Sequence, residues 1–207
     1  MPASKDLKLN CIVTSSPVVN DDGWFMRTML SDKSIHVTVD APPSIRHLVQ
    51  LGLDNTPNDG AFAIVNDDII LGPEVLRIRT AAKPLGLAWA ATSFRYDFDN
   101  SPSDGRQEGQ GLDVFILPPP VARHIVQQIP EFLHLGRGGW DNWMCGWLRK
   151  NLPDGRFWDF THWRCVFHRR HESGMSRFAP FTPEEQAAVL HNVSCSGVPN
   201  TRLSYPL

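Results

Sequence analysis

The spacing of apolar positions changes several times along the chain, and each change marks an element. Residues 7–14 (LKLNCIVT) form a β-branched, partly alternating run that stops at Ser15, Ser16 and Pro17, which predicts a first strand running into a loop. Residues 24–30 (WFMRTML) follow an Asn-Asp-Asp-Gly turn and predict a short helix. Residues 35–40 (IHVTVD) alternate cleanly up to Ala41-Pro42-Pro43, a second strand. Ile45, Leu48, Val49 and Leu53 then recur at helical spacing behind Ser44, a residue suited to the N-cap. Residues 61–65 (AFAIV) are apolar throughout, as a strand buried on both faces requires. Asn66-Asp67-Asp68 follows at once, and Gly72-Pro73-Glu74 opens another short helix.

Further strands are predicted at residues 86–93 (GLAWAATS) and 111–117 (GLDVFIL), with a polar, mobile loop at 97–110 between them. Pro118-Pro119-Pro120 stops the second of these, and helices are predicted at 121–129 and 140–148. Residues 157–168 read as one or two strands. Thr182-Pro183-Glu184-Glu185 is a capping box with proline at the first helical position, which starts a helix reaching about His191. Alternating strands and helices predict an α/β fold with an open sheet flanked by helices. No internal repeat is visible, and 207 residues suit one domain.

Composition narrows the class. The hydrophobic fraction of 42% supports a packed core, and a net charge of −2 gives none of the basic excess of a dedicated nucleic-acid binder. No run of 18 apolar residues suggests a membrane span, and the start lacks an apolar signal-peptide core, so a cytoplasmic protein is expected. Cys11, Cys145, Cys165 and Cys195 lie far apart and read as reduced, mostly buried thiols. The sequon Asn192-Val193-Ser194 has meaning only in a secreted chain.

Three segments offer chemistry. Asp67 and Asp68 stand where a buried strand ends, the place where open α/β sheets bind ligands. Adjacent carboxylates repel unless a cation joins them, and hard oxygen donors suit Mg²⁺ or Mn²⁺; the plainer reading is a polar turn. Residues 135–148 (LGRGGWDNWMCGWL) place Arg137 before a double glycine and Asp141 and Asn142 in the first turn of a helix. Gly138 and Gly139 let a ligand approach the backbone, and an arginine suits phosphate. Trp140, Trp143 and Trp147 share a helix face, which packing alone explains. Residues 165–171 (CVFHRRH) carry His168 and His171, able to complete a metal site or to end a solvated basic strand. If this segment is extended, Trp163, Cys165 and Phe167 face one way and Arg164, Val166 and His168 the other.

Taken in order, Asn66-Asp67-Asp68-Ile69, Gly111-Leu112-Asp113-Val114-Phe115-Ile116-Leu117-Pro118, Gly136-Arg137-Gly138-Gly139-Trp140-Asp141-Asn142-Trp143 and His168-Arg169-Arg170-His171 resemble the motifs of GT-A-type nucleotide-diphospho-sugar transferases. The third block is the specific one, and the likeness spans roughly residues 7–172. The resemblance implies a compact GT-A-like (Rossmann-like) mixed open sheet flanked by helices. Residues 7–80 would form a nucleotide-sugar half and 84–175 an acceptor and catalytic half, followed by a C-terminal helix and tail at 180–207. It implies that Thr14, Ser15 and Ser16 hold the nucleotide, with Asn66, Asp67, Arg137, Gly139, Trp140 and Asn142 also contacting the donor. Asp68 and His168 would hold Mn²⁺ or Mg²⁺. Asp113 and Asp141 would flank sugar and acceptor, with Asp141 as general base. The pattern departs from the family at Leu117, where phenylalanine is common, at Arg169-Arg170 between the histidines, and in a short first half. Arg164, Arg169, Arg170 and Arg177 suggest an anionic acceptor, an acidic glycan or a modified nucleic-acid base.

The implied reaction is metal-dependent sugar transfer from a nucleotide-diphospho-sugar donor to an acceptor hydroxyl. Two other classes stay open: a non-catalytic nucleotide- or glycan-binding module, and a metal-dependent phosphotransfer or nuclease protein using Asp67, Asp68, Asp113 and His168. The presence of Asp68 favours an enzyme.

Overall fold

A computed structural model describes residues 9–15, 34–38, 43–66, 69–107, 111–135 and 139–170, with backbone alone for the first two stretches. The helices predicted at 24–30 and from Thr182 lie outside the described residues, as do Ser16, Asp67, Asp68, Arg137 and His171.

Six strands form the main sheet: β1 (Leu9–Ser15), β2 (Ser34–Thr38), β3 (Ala61–Val65), β5 (Ala90–Phe94), β7 (Leu112–Leu117) and β8 (Phe157–Asp159). Their order is β2-β1-β3-β7-β5-β8. β1 pairs parallel with β2 and β3, and β5 pairs parallel with β8, whereas β7 runs antiparallel to both its neighbours. A second sheet of three short strands, which the hydrophobic pattern does not reveal, has the order β4-β9-β6: β4 (Ile69–Leu71), β9 (Val166–Arg169) and β6 (Tyr96–Phe98). The architecture is thus α/β, with open mixed sheets flanked by helices.

β3 and β7 are buried along their whole length, so alternate side chains feed two cores. On one face Phe62, Ile64, Phe115 and Leu117 meet three helices, α1 (Ile45–Asn55), α3 (Pro119–Val126) and α4 (Trp140–Asn151). Ser44 caps α1 by accepting the His47 N–H at 3.2 Å. Gly52 lets α1 rest on the Phe62 ring, since a Cβ there would lie 2.3 Å from it. The proline run that ends β7 also starts α3, where the missing N–H groups would have had no helical partner. On the other face Ala61, Ala63, Val65, Val114 and Ile116 meet a 3₁₀ turn (Pro73–Leu76), α2 (Arg77–Ala82) and the small sheet.

Two expectations change. The polar stretch at 97–110 is no simple loop: Asp97 and Phe98 are buried in β6, a 3₁₀ turn covers Pro102–Asp104, and Arg106 pairs back onto Asp97. Phe94-Arg95-Tyr96-Asp97-Phe98 alternates apolar and polar residues, a strand pattern masked by the Asp- and Ser-rich residues after it. Secondly, Trp163, Arg164 and Cys165 precede β9 rather than joining it, because Arg164 adopts a left-handed conformation (φ 50°) that breaks extended structure. Val166 and His168 do share the buried side of β9. Among the described residues, Cys145 and Cys165 are free, buried thiols, which burial pushes up to about 11 and about 12 respectively. No helix of the described residues is long and apolar enough to cross a membrane.

Candidate functional site

Because β7 opposes β3 and β5, its amino end and their carboxyl ends share one edge of the main sheet. β1 ends there too: Val13 pairs with Val65, and Thr14 and Ser15 continue one and two residues beyond, alongside Asn66. Ligands of open α/β sheets bind outside the carboxyl ends of strands. Three passages from the main sheet to the small sheet start at this edge, one of them from β8, which is parallel to β5, to β9. β3 leads to β4 through residues 66–68, and β5 leads to β6 through the single residue Arg95.

Asp113 lies at the centre of this edge. Ser93 pairs with Val114 and Phe94 with Leu112, so Asp113 is the extra residue of a bulge on β7, a device that re-aims a side chain. It is 6% exposed, and both its carboxylate oxygens have protein partners. Asn66 Nδ2 donates to Oδ1 at 2.5 Å, and Arg95 Nη1 donates to Oδ2 at 2.9 Å. The Asn66 backbone N–H also donates to the Asp113 carbonyl at 3.2 Å. Gly111 leaves room for the pair, since a Cβ there would sit 2.8 Å from Asp113 Oδ2. Asp113, expected beside sugar and acceptor, therefore organises protein groups instead of presenting an open carboxylate.

Arg95 also faces the second sheet, with Nε 3.1 Å from Asp97 Oδ1. The same oxygen lies 2.6 Å from His168 Nδ1. Asp97 and His168 are cross-strand neighbours, and Ile69 is the partner of His168 on its other side. His168 thus pairs with Ile69, the residue that follows Asp67-Asp68 in sequence. Asp97 and Arg95 are absent from the sequence-derived site. The alternation around them was the signal that could have found them.

Asp141 enters from the first turn of α4, where a carboxylate is favoured by the helix dipole. Burial pushes its carboxyl above the usual carboxylate range. The N–H groups of Asn142, Leu112 and Asp141 itself and the Arg95 charge pull the other way, in that order. Leu112 immediately precedes Asp113, so Asp141 reaches the same edge. Gly139, the N-cap of α4, has φ 92°, a conformation that favours glycine. Asn142 donates to Asp141 Oδ1 at 3.3 Å. Trp140, expected at the donor, is 3% exposed and packs edge-on against Phe115 with centroids 5.4 Å apart. Its indole belongs to the core. Trp143 and Trp147 are partly buried against the same core, as packing at this spacing requires.

Asn66 Oδ1 is buried without a hydrogen-bond partner, a costly state for an amide oxygen, and Asp67 and Asp68 adjoin it in sequence. Among the described residues, no three His, Cys, Asp or Glu side chains are grouped to hold a metal ion. Beside β6 lies a cleft of about 220 Å³ lined by Asp97, Asp99, Asn100, Asp104, Arg106 and Arg170.

No protein-family model matches the chain. No curated protein matches it either. Among solved structures, it is similar to one described as a glucose-1-phosphate thymidylyltransferase from Bacillus anthracis in complex with a sucrose. The two are 10% identical with a TM-score of 0.43, over 95% of this chain and 98% of that one. At that level of likeness, function has to be argued from the side chains.

Proposed function

We propose that the protein is a metal-dependent glycosyltransferase that moves a sugar from a nucleotide-diphospho-sugar to an acceptor hydroxyl, on a GT-A-like fold. The observation that carries this reading is the convergence of Asn66, Asp113, Arg95 and Asp141 on one sheet edge, with an unsatisfied amide oxygen on Asn66, which two aspartates follow in sequence. Asn66, Asp67, Asp68 and His168 would hold Mn²⁺ or Mg²⁺, which when bound supplies Lewis-acid stabilisation of the departing nucleoside diphosphate. Thr14, Ser15 and Ser16 would bind the nucleotide at the end of β1, with Gly139, Asn142 and the Arg137 guanidinium towards the donor's phosphates and sugar.

Asp141 is the general base of this reading. A carboxylate whose pKa is raised by burial is a stronger base than a free one, which suits removal of the acceptor hydroxyl's proton. Backbone N–H groups keep its oxygens oriented. Asp113 holds Asn66 and Arg95 in place. The cleft beside β6 offers carboxylates, an amide and two guanidinium groups to a hydroxyl-rich or anionic acceptor.

The test is release of nucleoside diphosphate from a panel of nucleotide sugars, with and without Mn²⁺. Metal-dependent turnover of one donor is expected, lowered at least ~100-fold in Asp141→Asn. Nucleic-acid cleavage without a sugar donor would replace this reading with a nuclease. Donor binding without turnover in the presence of acceptors would replace it with a binding module.

A further inference from the structure

The two halves of the site belong to different sheets. Asp113 and Asn66 sit at the edge of the main sheet, whereas Asp97 and His168 are cross-strand neighbours in the small one. Short strands of three or four residues give the small sheet few ladder bonds with which to fix its position. A cation that faces a carboxylate of each sheet would hold the two in register, and a planar guanidinium is broad enough to face both.

We propose that Arg95 is a positioning residue that locks the Asp97–His168 pair against the Asp113–Asn66 pair, so that both halves meet the donor as one unit. Its place in the chain makes this role available: it is the single residue between β5 and β6, just beyond the register shift at Ser93/Phe94. From there Nη1 reaches Asp113 Oδ2 at 2.9 Å while Nε lies 3.1 Å from Asp97 Oδ1. That Asp97 oxygen also faces His168 Nδ1, so Arg95 bears on the imidazole through one carboxylate without touching it. The side chain is one-quarter exposed and both carboxylates are nine-tenths buried, so solvent screens these contacts only in part. A lysine keeps the charge at this position but ends in a single point, and it cannot face both carboxylates in this way.

The inference rests on the transferase reading for its kinetic consequence and on the structure alone for its spectroscopic one. Arg95→Lys and Arg95→Gln are compared with the natural chain for turnover of the nucleotide sugar and for the imidazole ¹⁵N signals of His168. In both variants kcat is expected to fall about 10–100-fold with little change in the donor KM, the size typical of removing a partner that orients a site residue. The His168 signals are expected to shift in both, although position 95 does not contact that ring. Full activity in Arg95→Lys would reduce Arg95 to a neutralising charge and overturn the proposal. So would unchanged His168 signals in a folded Arg95→Gln or Arg95→Lys chain. If the natural chain turns over no nucleotide sugar, the transferase reading fails, and the His168 signals still decide the role of Arg95.

Discussion

Strands β3 and β7 run side by side and yet contain two kinds of interior. Along one face, Phe62 and Ile64 of β3 and Leu117 and Phe115 of β7 are fully buried and apolar. One step further along the paired strands, the register brings Asn66 beside Asp113, at the bulge. Burial changes little at Asp113, but the chemistry changes completely. An apolar pair there would stabilise the fold without the need for compensating hydrogen bonds. The chain instead carries an amide and a carboxylate, a bulge to aim them, a glycine to make room, and an arginine to balance the charge. The strand interior is apolar throughout, and its end carries a buried polar cluster.

Substitutions separate these two interiors. The largest effect is expected from Phe115→Ala, which empties a site on the helix-covered face and removes the ring against which Trp140 packs. A loss of about 3–5 kcal/mol is expected in urea denaturation followed by tryptophan fluorescence. A loss under about 1 kcal/mol would show that this face is not the principal core. Asp113→Ala removes the partner of Asn66 and one of the two carboxylates facing Arg95. Because Arg95 keeps Asp97 and is partly solvated, the expected loss is about 2 kcal/mol in the same assay, smaller than for a fully buried pair. Enhanced stability in this variant would erase the distinction between the strand's middle and its end.

Asp141→Asn is expected to act in the opposite direction. Folding raises the Asp141 pKa above its unfolded value near 3.8, so the native state favours the protonated form. Its stabilising contribution is therefore greatest at low pH and is lost as pH rises through the folded pKa. The neutral asparagine escapes that loss. The variant should melt above the natural chain near pH 7.5, the gap closing as pH approaches 4, while transfer is lost. A lower melting temperature for the variant near pH 7.5 would show that the carboxylate is a structural anchor. Glu131→Gln provides the small end of the scale. Arg46 and Glu131 meet at 3.2 Å with the glutamate 87% exposed, and its replacement should change stability by less than about 0.5 kcal/mol.

Legibility in the sequence follows the same division. The β3 strand, the capped α1 helix, the proline boundary after β7 and the start of α4 were all readable because each depends on neighbours within a few residues. Asn66, Asp113 and Asp141 were readable as candidates because polar residues interrupt strongly apolar or helical patterns. The small sheet was not, since its strands are short and pair across as many as 99 residues, as Ile69 does with His168. Arg95 and Asp97 escaped for a related reason. Their role depends on two sheets meeting, and the adjoining polar run made β6 look like the start of a loop.

The most direct test is thermal melting of the natural chain and of Asn66→Ala against nucleoside diphosphates and nucleotide sugars, with and without Mn²⁺. A ligand at about 100 times its dissociation constant stabilises the native state by about 2.7 kcal/mol. The expected result is a shift in the natural chain that needs both Mn²⁺ and one diphosphate nucleotide, and that Asn66→Ala loses. No shift with any nucleotide at millimolar concentration, or a shift that neither Mn²⁺ nor Asn66 affects, would contradict a metal-dependent nucleotide-sugar site at the end of β3.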